Sequence, residues 1–348
     1  MRQEGFTLTE LLVSTTIMLI VLAGAMTTFK NALDINEAAS LVADSNQNLR
    51  AAINLMVRDL MQAGRGIPIG GVPIPSGAGT TAINRPGPSG TAYTFDNLNF
   101  TTLPAIVAGP GMGPTIGSQT TDIITVLMTD PTLPALTLNP SPAVAGQATL
   151  AGGGSSVDVG AATTWISDPA TGVRAGDLIM FSNALGNAMQ TVTSAESPVV
   201  SFAANDWFNL NQPAATQGSI SQIVTAPIPQ TTVQRVLMVT YYVDNVTLPG
   251  RPRLARRINY AAGQALAGVV EDLDLTFDLV DGVINPVAQH VVPFALNGVV
   301  YTPNQIRKVN LHLGVRSETV SSQRRDYLRT HLNTVVSVRS LAYISRYQ

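Results

Sequence analysis

The chain has 348 residues, of which 45% are hydrophobic and 12% are charged, and its formal net charge is -2. This composition is too apolar for a disordered protein and too weakly charged for a nucleic-acid binder that neutralises phosphates. Cysteine is absent, which excludes a disulfide framework and a thiolate metal site. The 29 glycines and 22 prolines predict many turns and a strand-rich body, in one large or two modest domains.

The first element is an apolar segment from Phe6 to Phe29 that contains one ionisable side chain, Glu10. At about 1.5 Å per residue, a helix of this length can cross a hydrocarbon core of roughly 30 Å. Arg2 lies before the segment, so we expect a cytoplasmic N-terminus and translocation of everything after Phe29. The segment therefore predicts a single membrane-spanning helix.

Glu10 is the unusual residue of this segment. A carboxylate inside the membrane costs on the order of 2.5–3.5 kcal/mol and implies a cationic partner. Cleavage after Gly5 would create an α-amine on Phe6, about one helical turn from Glu10. The same amine on a neighbouring subunit would be a suitable counter-charge.

Residues 5–13, GFTLTELLV, resemble the processing signal of type IV prepilins and type II secretion pseudopilins. The resemblance implies cleavage between Gly5 and Phe6 by the prepilin peptidase, N-methylation of Phe6 and subunit packing through Glu10. It also implies a precursor in the bacterial inner membrane that contacts the membrane lipid and an assembly platform. The mature protein would then join other pilins or pseudopilins in a filament, in the periplasm or at the cell surface.

Three other interpretations of the apolar segment compete. A secretory signal peptide could be cut after the A-x-A sequence at 23–25, but Glu10 and a helical pattern that continues unbroken argue against it. A plain membrane anchor would not need Glu10. A buried core helix is not expected to be apolar over so long a run.

Residues 30–64 predict an amphipathic continuation of the same helix. Its apolar positions advance alternately by four and three residues, with one polar interruption: Ile35, Ala39, Val42, Asn46, Leu49, Ile53, Met56, Leu60 and Ala63. A coiled coil or a helix lying against its own domain would use this stripe, and the resemblance favours the second. Gly64, Gly66 and Pro68 supply a stop.

After the helix we expect a Gly/Pro-rich loop region at 65–120, with one short strand near Ala92–Phe95, and a β-rich globular domain at 121–348. Predicted strands cover 122–128, 177–181, 189–193, 199–202, 220–225, 235–244, 253–260, 271–279, 306–315 and 331–341. The fold class is therefore α+β, a long N-terminal helix packed on a mainly antiparallel, pilin-like body. The resemblance implies that residues 1–5 are the leader and that residues 6–29 are the membrane-spanning or filament-core helix.

Several patches are similar to one group in particular, the PilW-type minor pilins and the J-type pseudopilins of type II secretion. They are MVRDLMQAGRGIP (56–68), GDLIM (176–180), QTVT (190–193), YYVD (241–244), RLARR (253–257) and VSVR (336–339). These patches are much less specific than the leader.

Candidate chemical sites are few. Asp272, Asp274 and Asp278 share one face of a predicted strand and could begin a calcium site. No loop with ligand spacing accompanies them, so we expect a solvated face, paired with Arg253 or Arg257 on an adjacent strand.

Two other clusters have equally plain interpretations. Arg324, Arg325 and Arg329 form a small basic group in a chain whose net charge is negative, which favours a solvated turn over nucleic-acid contact. His290, His312 and His331 lie on separate segments, so a metal site would require chance convergence. Neither a nucleophile elbow nor a phosphate-binding loop occurs, and we expect no enzyme activity, cofactor or metal.

The resulting hypothesis is a minor pilin, a structural subunit that primes or caps pilus assembly after leader removal. Within the same class, the alternative is a J-type pseudopilin of a type II secretion system. From another class, the body could be an adhesin or ligand-binding module displayed on a pilin helix, with 67–120 and 272–278 as the places to look. An enzyme on a membrane anchor ranks third.

Overall fold

The structure is a computed structural model that describes residues 7–87, 93–95, 100–139, 146–225, 228–279, 291–296, 298–322 and 325–341. One long N-terminal helix, α1 (Leu8–Gln62), has 55 residues and is followed by a body made of strands. The strands of the two main sheets pair antiparallel. The predicted α+β class is confirmed.

The length of α1 follows from its sequence. Thr7 caps its start by accepting a hydrogen bond from Glu10 N. No proline occurs before Pro68 to interrupt the backbone hydrogen bonds. The helix ends where Gly64 and Gly66 adopt φ of +80° and +68°, a region that glycine enters without strain.

The segment 72–120 contains several short strands, so the prediction of an irregular connection with one strand near 92–95 is wrong. They are β1 (Val72–Pro73), β2 (Ile83–Arg85), β3 (Tyr93–Phe95), β4 (Thr102–Leu103), β5 (Ile106–Gly109), β6 (Thr115–Ile116) and β7 (Gln119–Thr120). β3 lies at the predicted place, while Ala92 is outside the described residues. Strands this short carry no alternating pattern that a sequence could reveal.

The remaining strands are longer on average. They are β8 (Ile123–Thr129), β9 (Leu136–Leu138), β10 (Thr149–Leu150), β11 (Ser156–Asp158), β12 (Leu178–Asn183), β13 (Gly186–Thr191), β14 (Ser194–Glu196), β15 (Val199–Ser201), β16 (Thr231–Asp244), β17 (Arg253–Ile258), β18 (Gln264–Ala267), β19 (Val270–Leu279), β20 (Phe294–Leu296), β21 (Val299–Tyr301), β22 (Ile306–Val320) and β23 (Tyr327–Ser337). A short helix, α2 (Thr164–Ser167), and 3-10 turns at 152–154, 220–222, 303–305 and 339–341 complete the elements.

One predicted strand, 220–225, is not a strand in the structure, and several others begin or end at different residues. Residues 220–222 form a 3-10 turn rather than the start of a strand, because Ile220 and Ile223 are both buried at a helical spacing. The last strand begins earlier than 331, at Tyr327, and ends at Ser337, where a 3-10 turn follows.

The central sheet is built around β16, which has 14 residues. Its strand order is β13-β12-β16-β17-β18, and β8 and β9 also pair with β16. β5 pairs with β8, so the segment before residue 120 contributes to this sheet. Both faces of β16 are buried, which explains why Arg235–Asp244 is an almost continuous apolar run.

A second, three-stranded sheet has the order β19-β22-β23. In β22 the alternating side chains of Val309, Leu311 and Leu313 are buried, as the sequence predicts. They share one core with the C-terminal half of α1, where Leu49, Met56 and Leu60 are buried, and with the central sheet. Each large apolar side chain buried in this way contributes about 1.5–3 kcal/mol, so the body holds the helix firmly.

Candidate assembly site

The part of α1 before Asp34 contacts no other element within the described part of the chain. Every residue from 7 to 33 is exposed, including Leu8 (81%), Met18 (71%) and Phe29 (63%). This is the single helix of the described residues that is long and apolar enough to cross a membrane, and none of its most apolar window of 18 residues is buried. A contiguous apolar surface of this kind requires lipid or other helices around it.

Polar side chains within this half of the helix are satisfied locally. Ser14 Oγ donates to the carbonyl oxygen of Leu11 (2.9 Å), and Thr16 Oγ1 donates to that of Leu12 (2.8 Å). Thr27 Oγ1 makes the same kind of bond (2.8 Å) to a carbonyl one turn earlier. These hydroxyls therefore do not prevent the helix from lying in lipid.

Glu10 closes a capping box at the start of α1. Its Oε2 accepts hydrogen bonds from Thr7 N (3.0 Å) and Thr7 Oγ1 (2.8 Å), while Glu10 N donates to Thr7 Oγ1 (3.4 Å). No cation of the described residues forms an ion pair with Glu10. The carboxylate is thus oriented toward the N-terminal end of the helix. Gly5 and Phe6 lie outside the described residues.

At the other end of α1, a buried polar cluster locks the helix to the central sheet. Asp59 is 4% exposed, and its Oδ2 accepts hydrogen bonds from Tyr241 Oη (2.7 Å) and Arg256 Nε (2.7 Å). Arg256 Nη2 lies at 2.7 Å from the same oxygen. Burial and the charge of Asp59 raise the pKa of Tyr241, so its hydroxyl keeps its proton and remains a donor. The helix is therefore held by directional bonds as well as by packing.

Between these two ends, the body covers α1 incompletely. The turn after β22 reaches the helix at Glu37, whose Oε2 lies 2.7 Å from Ser322 Oγ. Ile35 and Val42 of the predicted stripe remain 61% and 40% exposed, whereas Leu49 is 1% exposed. The stripe thus contacts the body only in its C-terminal part.

Asp272, Asp274 and Asp278 lie along β19, and the neighbouring strand is β22. Asp272 Oδ2 is 3.4 Å from His312 Nε2, and Asp278 Oδ1 accepts a hydrogen bond from Asn310 Nδ2 (3.1 Å). The expected pairing with Arg253 or Arg257 is wrong, because those arginines lie on β17 of the central sheet. In the described ranges, no group of three or more histidines, aspartates and glutamates is arranged to hold a metal ion.

The histidines and arginines are placed as follows. His312 and His331 come together across β22 and β23, with ring centroids 5.3 Å apart, which their sequence separation gave no reason to expect. Arg329 pairs with Glu271 (2.7 Å) and Asp326 (3.1 Å), so it does not present a free basic surface. Arg325 is exposed, and His290 and Arg324 lie outside the described residues.

The sequence reasoning missed the Asp59 cluster. Asp59 follows Met56 at a helical spacing and lies on the buried side of α1. A charged residue on that side is the one feature of the sequence that could have indicated a buried polar contact. Its partners, Tyr241 and Arg256, are 182 and 197 residues away, and no local pattern connects them to it.

The exposed half of the helix includes residues that match a known family. Residues 1–26 match the family described as the prokaryotic N-terminal methylation motif. This match supports a type IV pilin-like prepilin. No curated protein and no solved structure matches the chain. The matched residues include Gly5, Phe6 and Glu10, and the motif in general implies a structural subunit that the prepilin peptidase processes and that assembles with other pilins.

Proposed function

We propose that the chain is a minor type IV pilin of the PilW type, which primes or caps pilus assembly. The division of α1 supports a pilin-type subunit in general, while the size of the body and the resemblance of its patches to PilW-type proteins favour a minor pilin. The N-terminal half of the helix is wholly exposed and apolar, and its C-terminal half is locked to a large β-rich body. Such a chain combines an assembly helix with a body that differs from a simple repeating fibre subunit.

The proposed mechanism begins with a single-pass precursor in the bacterial inner membrane, its N-terminus in the cytoplasm. The prepilin peptidase removes residues 1–5 and the new amine of Phe6 is methylated. An assembly platform then extracts the helix, which exchanges lipid contacts for contacts with like helices. Glu10 of each subunit pairs with the Phe6 amine of a neighbour, and this pair sets the axial register.

This proposal divides the chain by task. Residues 6–29 form the membrane and filament core, and 30–64 carry the helix out to the body. Residues 65–120 and 121–348 form the part displayed on the filament, in the periplasm or at the cell surface. We expect no enzymatic step, no cofactor and no nucleic acid in this function.

Two alternatives remain distinct from the minor pilin. A J-type pseudopilin of a type II secretion system would use the same helix and the same processing. A pilin-displayed adhesin or ligand-binding module would use the helix only for attachment. The contacts of α1 support all three equally, so a phenotype has to separate them.

The first test is the N-terminus of the mature protein. Mass spectrometry should find a chain that begins at Phe6 and carries a methyl group. When the gene of the prepilin peptidase is deleted, the chain should keep residues 1–5. A chain that begins at Met26 would instead identify a secretory signal peptide and contradict the proposal.

The second test is deletion of the gene. A priming pilin predicts loss of surface pili, with restoration when the full chain is supplied in trans. Loss of exoprotein secretion with normal pili would identify a pseudopilin. Normal pili and normal secretion would identify a displayed adhesin, and either result would overturn the minor pilin assignment.

A further inference from the structure

A cavity of about 240 Å³ lies in the body, between residues of β2 to β5 on one side and residues 292–293 and 302–304 on the other. Most of its wall is apolar: Phe95, Phe100, Pro104, Val107, Ala108, Met112, Val292 and Pro293. The rings of Phe95 and Phe100 are 5.8 Å apart. The volume is somewhat below the roughly 300–1,000 Å³ of pockets for drug-sized ligands, so the cavity suits a smaller molecule.

Arg85, the last residue of β2, lines this cavity and is 2% exposed. Its Nη1 makes only long contacts, 3.4 and 3.3 Å, to the carbonyl oxygens of Val107 and Ala108. Nη2 donates to the sulfur of Met112 (2.8 Å), and the buried Nε has no hydrogen-bond partner. No carboxylate of the described residues pairs with this guanidinium.

A buried cation without a counter-ion is costly, and natural proteins normally pair it. Burial lowers the pKa of Arg85 to about 10, so the group stays charged at neutral pH. The neighbouring Tyr93 does not supply a negative charge, because burial raises its pKa to about 12. Arg85 therefore has no counter-ion among the described residues.

Asn304 adds a second unmade hydrogen bond in the same cavity. Its Oδ1 is buried without a partner, while its Nδ2 donates to the carbonyl oxygen of Gly70 (3.1 Å). Gly109 leaves the space that the guanidinium occupies, because a Cβ there would lie 3.1 Å from Arg85 Nη2. Arg85 and Asn304, which both line the cavity, thus carry one unused donor and one unused acceptor, and both of these atoms are buried.

We propose that this cavity binds a small monocarboxylate with an apolar, ring-sized body. The carboxylate accepts charge-assisted hydrogen bonds from Arg85, and the body packs against Phe95 and Phe100. A hydroxyl or N–H group on the ligand donates to Asn304 Oδ1. A neutral apolar ligand leaves Arg85 unpaired, and a cation is repelled by it.

The test uses the full chain in lipid nanodiscs and 4-fluorophenylacetate as the probe, observed by fluorine NMR. We expect saturable line broadening with a dissociation constant below about 1 mM, and none with empty nanodiscs. The uncharged 4-fluorophenylacetamide should bind at least about tenfold more weakly, because it cannot pair with the guanidinium.

Two variants locate the site. Arg85→Met should weaken binding of the carboxylate by about tenfold or more. Ala108→Leu should block the cavity without removing the charge. The matched control is Arg251→Met, which removes an exposed arginine and should bind like the wild type.

Circular dichroism establishes that each variant is folded. If Arg85→Met does not fold, the result with Ala108→Leu decides. Equal binding of the acid and the amide, unchanged binding in a folded Arg85→Met or Ala108→Leu protein, or no saturable binding at about 1 mM would each overturn the proposal.

Discussion

Tyr241 donates a hydrogen bond of 2.7 Å to Asp59 and so joins the central sheet to the long helix, across 182 residues of sequence. Arg256 binds the same carboxylate oxygen, which makes Asp59 the acceptor of two buried donors. Burial is the largest single effect and lowers the pKa of Arg256, but the hydrogen bonds and charges of Asp59 and Tyr241 together outweigh it, so the pKa lies above its ordinary value. Both donors, Tyr241 and Arg256, therefore keep their protons at neutral pH.

Removal of the Tyr241 hydroxyl should loosen the attachment of the helix. Tyr241→Phe leaves one bond to a buried carboxylate unmade, which should lower the free energy of unfolding by about 1–3 kcal/mol. Urea denaturation of the full chain in detergent, followed by tryptophan fluorescence, measures this loss. Tyr260→Phe is the matched control, because Tyr260 is 48% exposed and should change stability little. Equal stability of Tyr241→Phe and the wild type would contradict the role of the cluster.

The same hydroxyl predicts a dependence on alkaline pH. The pKa of Tyr241 is raised in the folded chain, whereas a tyrosine in the unfolded chain has a pKa of about 10. Its contribution is therefore complete below about pH 10 and is lost as pH rises through the folded value. The stability difference between wild type and Tyr241→Phe should shrink above about pH 10. A difference that stays constant or grows from neutral pH to alkaline pH would argue against this titration.

Substitution of Glu10 tests the pairing that we propose for assembly. Glu10→Gln keeps the size of the side chain and removes its charge. We therefore expect normal processing of the variant, while the amount of it in filaments falls about tenfold or more. Immunoblots of sheared filaments and of membranes give the two amounts. The matched control is Asp44→Asn, which neutralises an exposed acid on the same helix. Normal incorporation of Glu10→Gln would refute the charge pair.

Two glycines have similar backbone angles, but their substitution by alanine should lower the free energy of unfolding by different amounts. Gly218 and Gly250 have φ of +67° and +80°. An added Cβ at Gly218 would lie 1.9 Å from the carbonyl oxygen of Ile74, whereas the space beside Gly250 is open. Gly250→Ala should therefore cost about 1–2 kcal/mol from backbone strain alone. Gly218→Ala should cost about 1–3 kcal/mol more. Thermal unfolding of both variants gives the comparison, and equal losses would show that the close approach to Ile74 is absent.

The sequence predicted the elements that carry a repeating pattern. An apolar run without proline identified the long helix, and alternation identified β22 with its buried Val309 and Leu311. The pieces β1 to β7 escaped prediction because strands of two to four residues show no period. Their partners are also set by tertiary contacts, as when β5 joins β8.

For the assembly site, the sequence provided the exposed helix and Glu10, since both depend on local chemistry. It did not provide the lock at Asp59, whose partners come from distant strands. The unpaired state of Arg85 was equally invisible, because an arginine in a sequence gives no sign of whether an acid will reach it in the fold.

The continuity of α1 has a mechanical consequence. The helix contains no proline, and its interior glycine, Gly24, lies far from the body. A pull on the body therefore passes through the buried contacts of the C-terminal half of α1 into a helix without a proline, and reaches the apolar half as tension along its axis. The bonds from Tyr241 and Arg256 to Asp59 lie on this path and connect the helix to the central sheet under load.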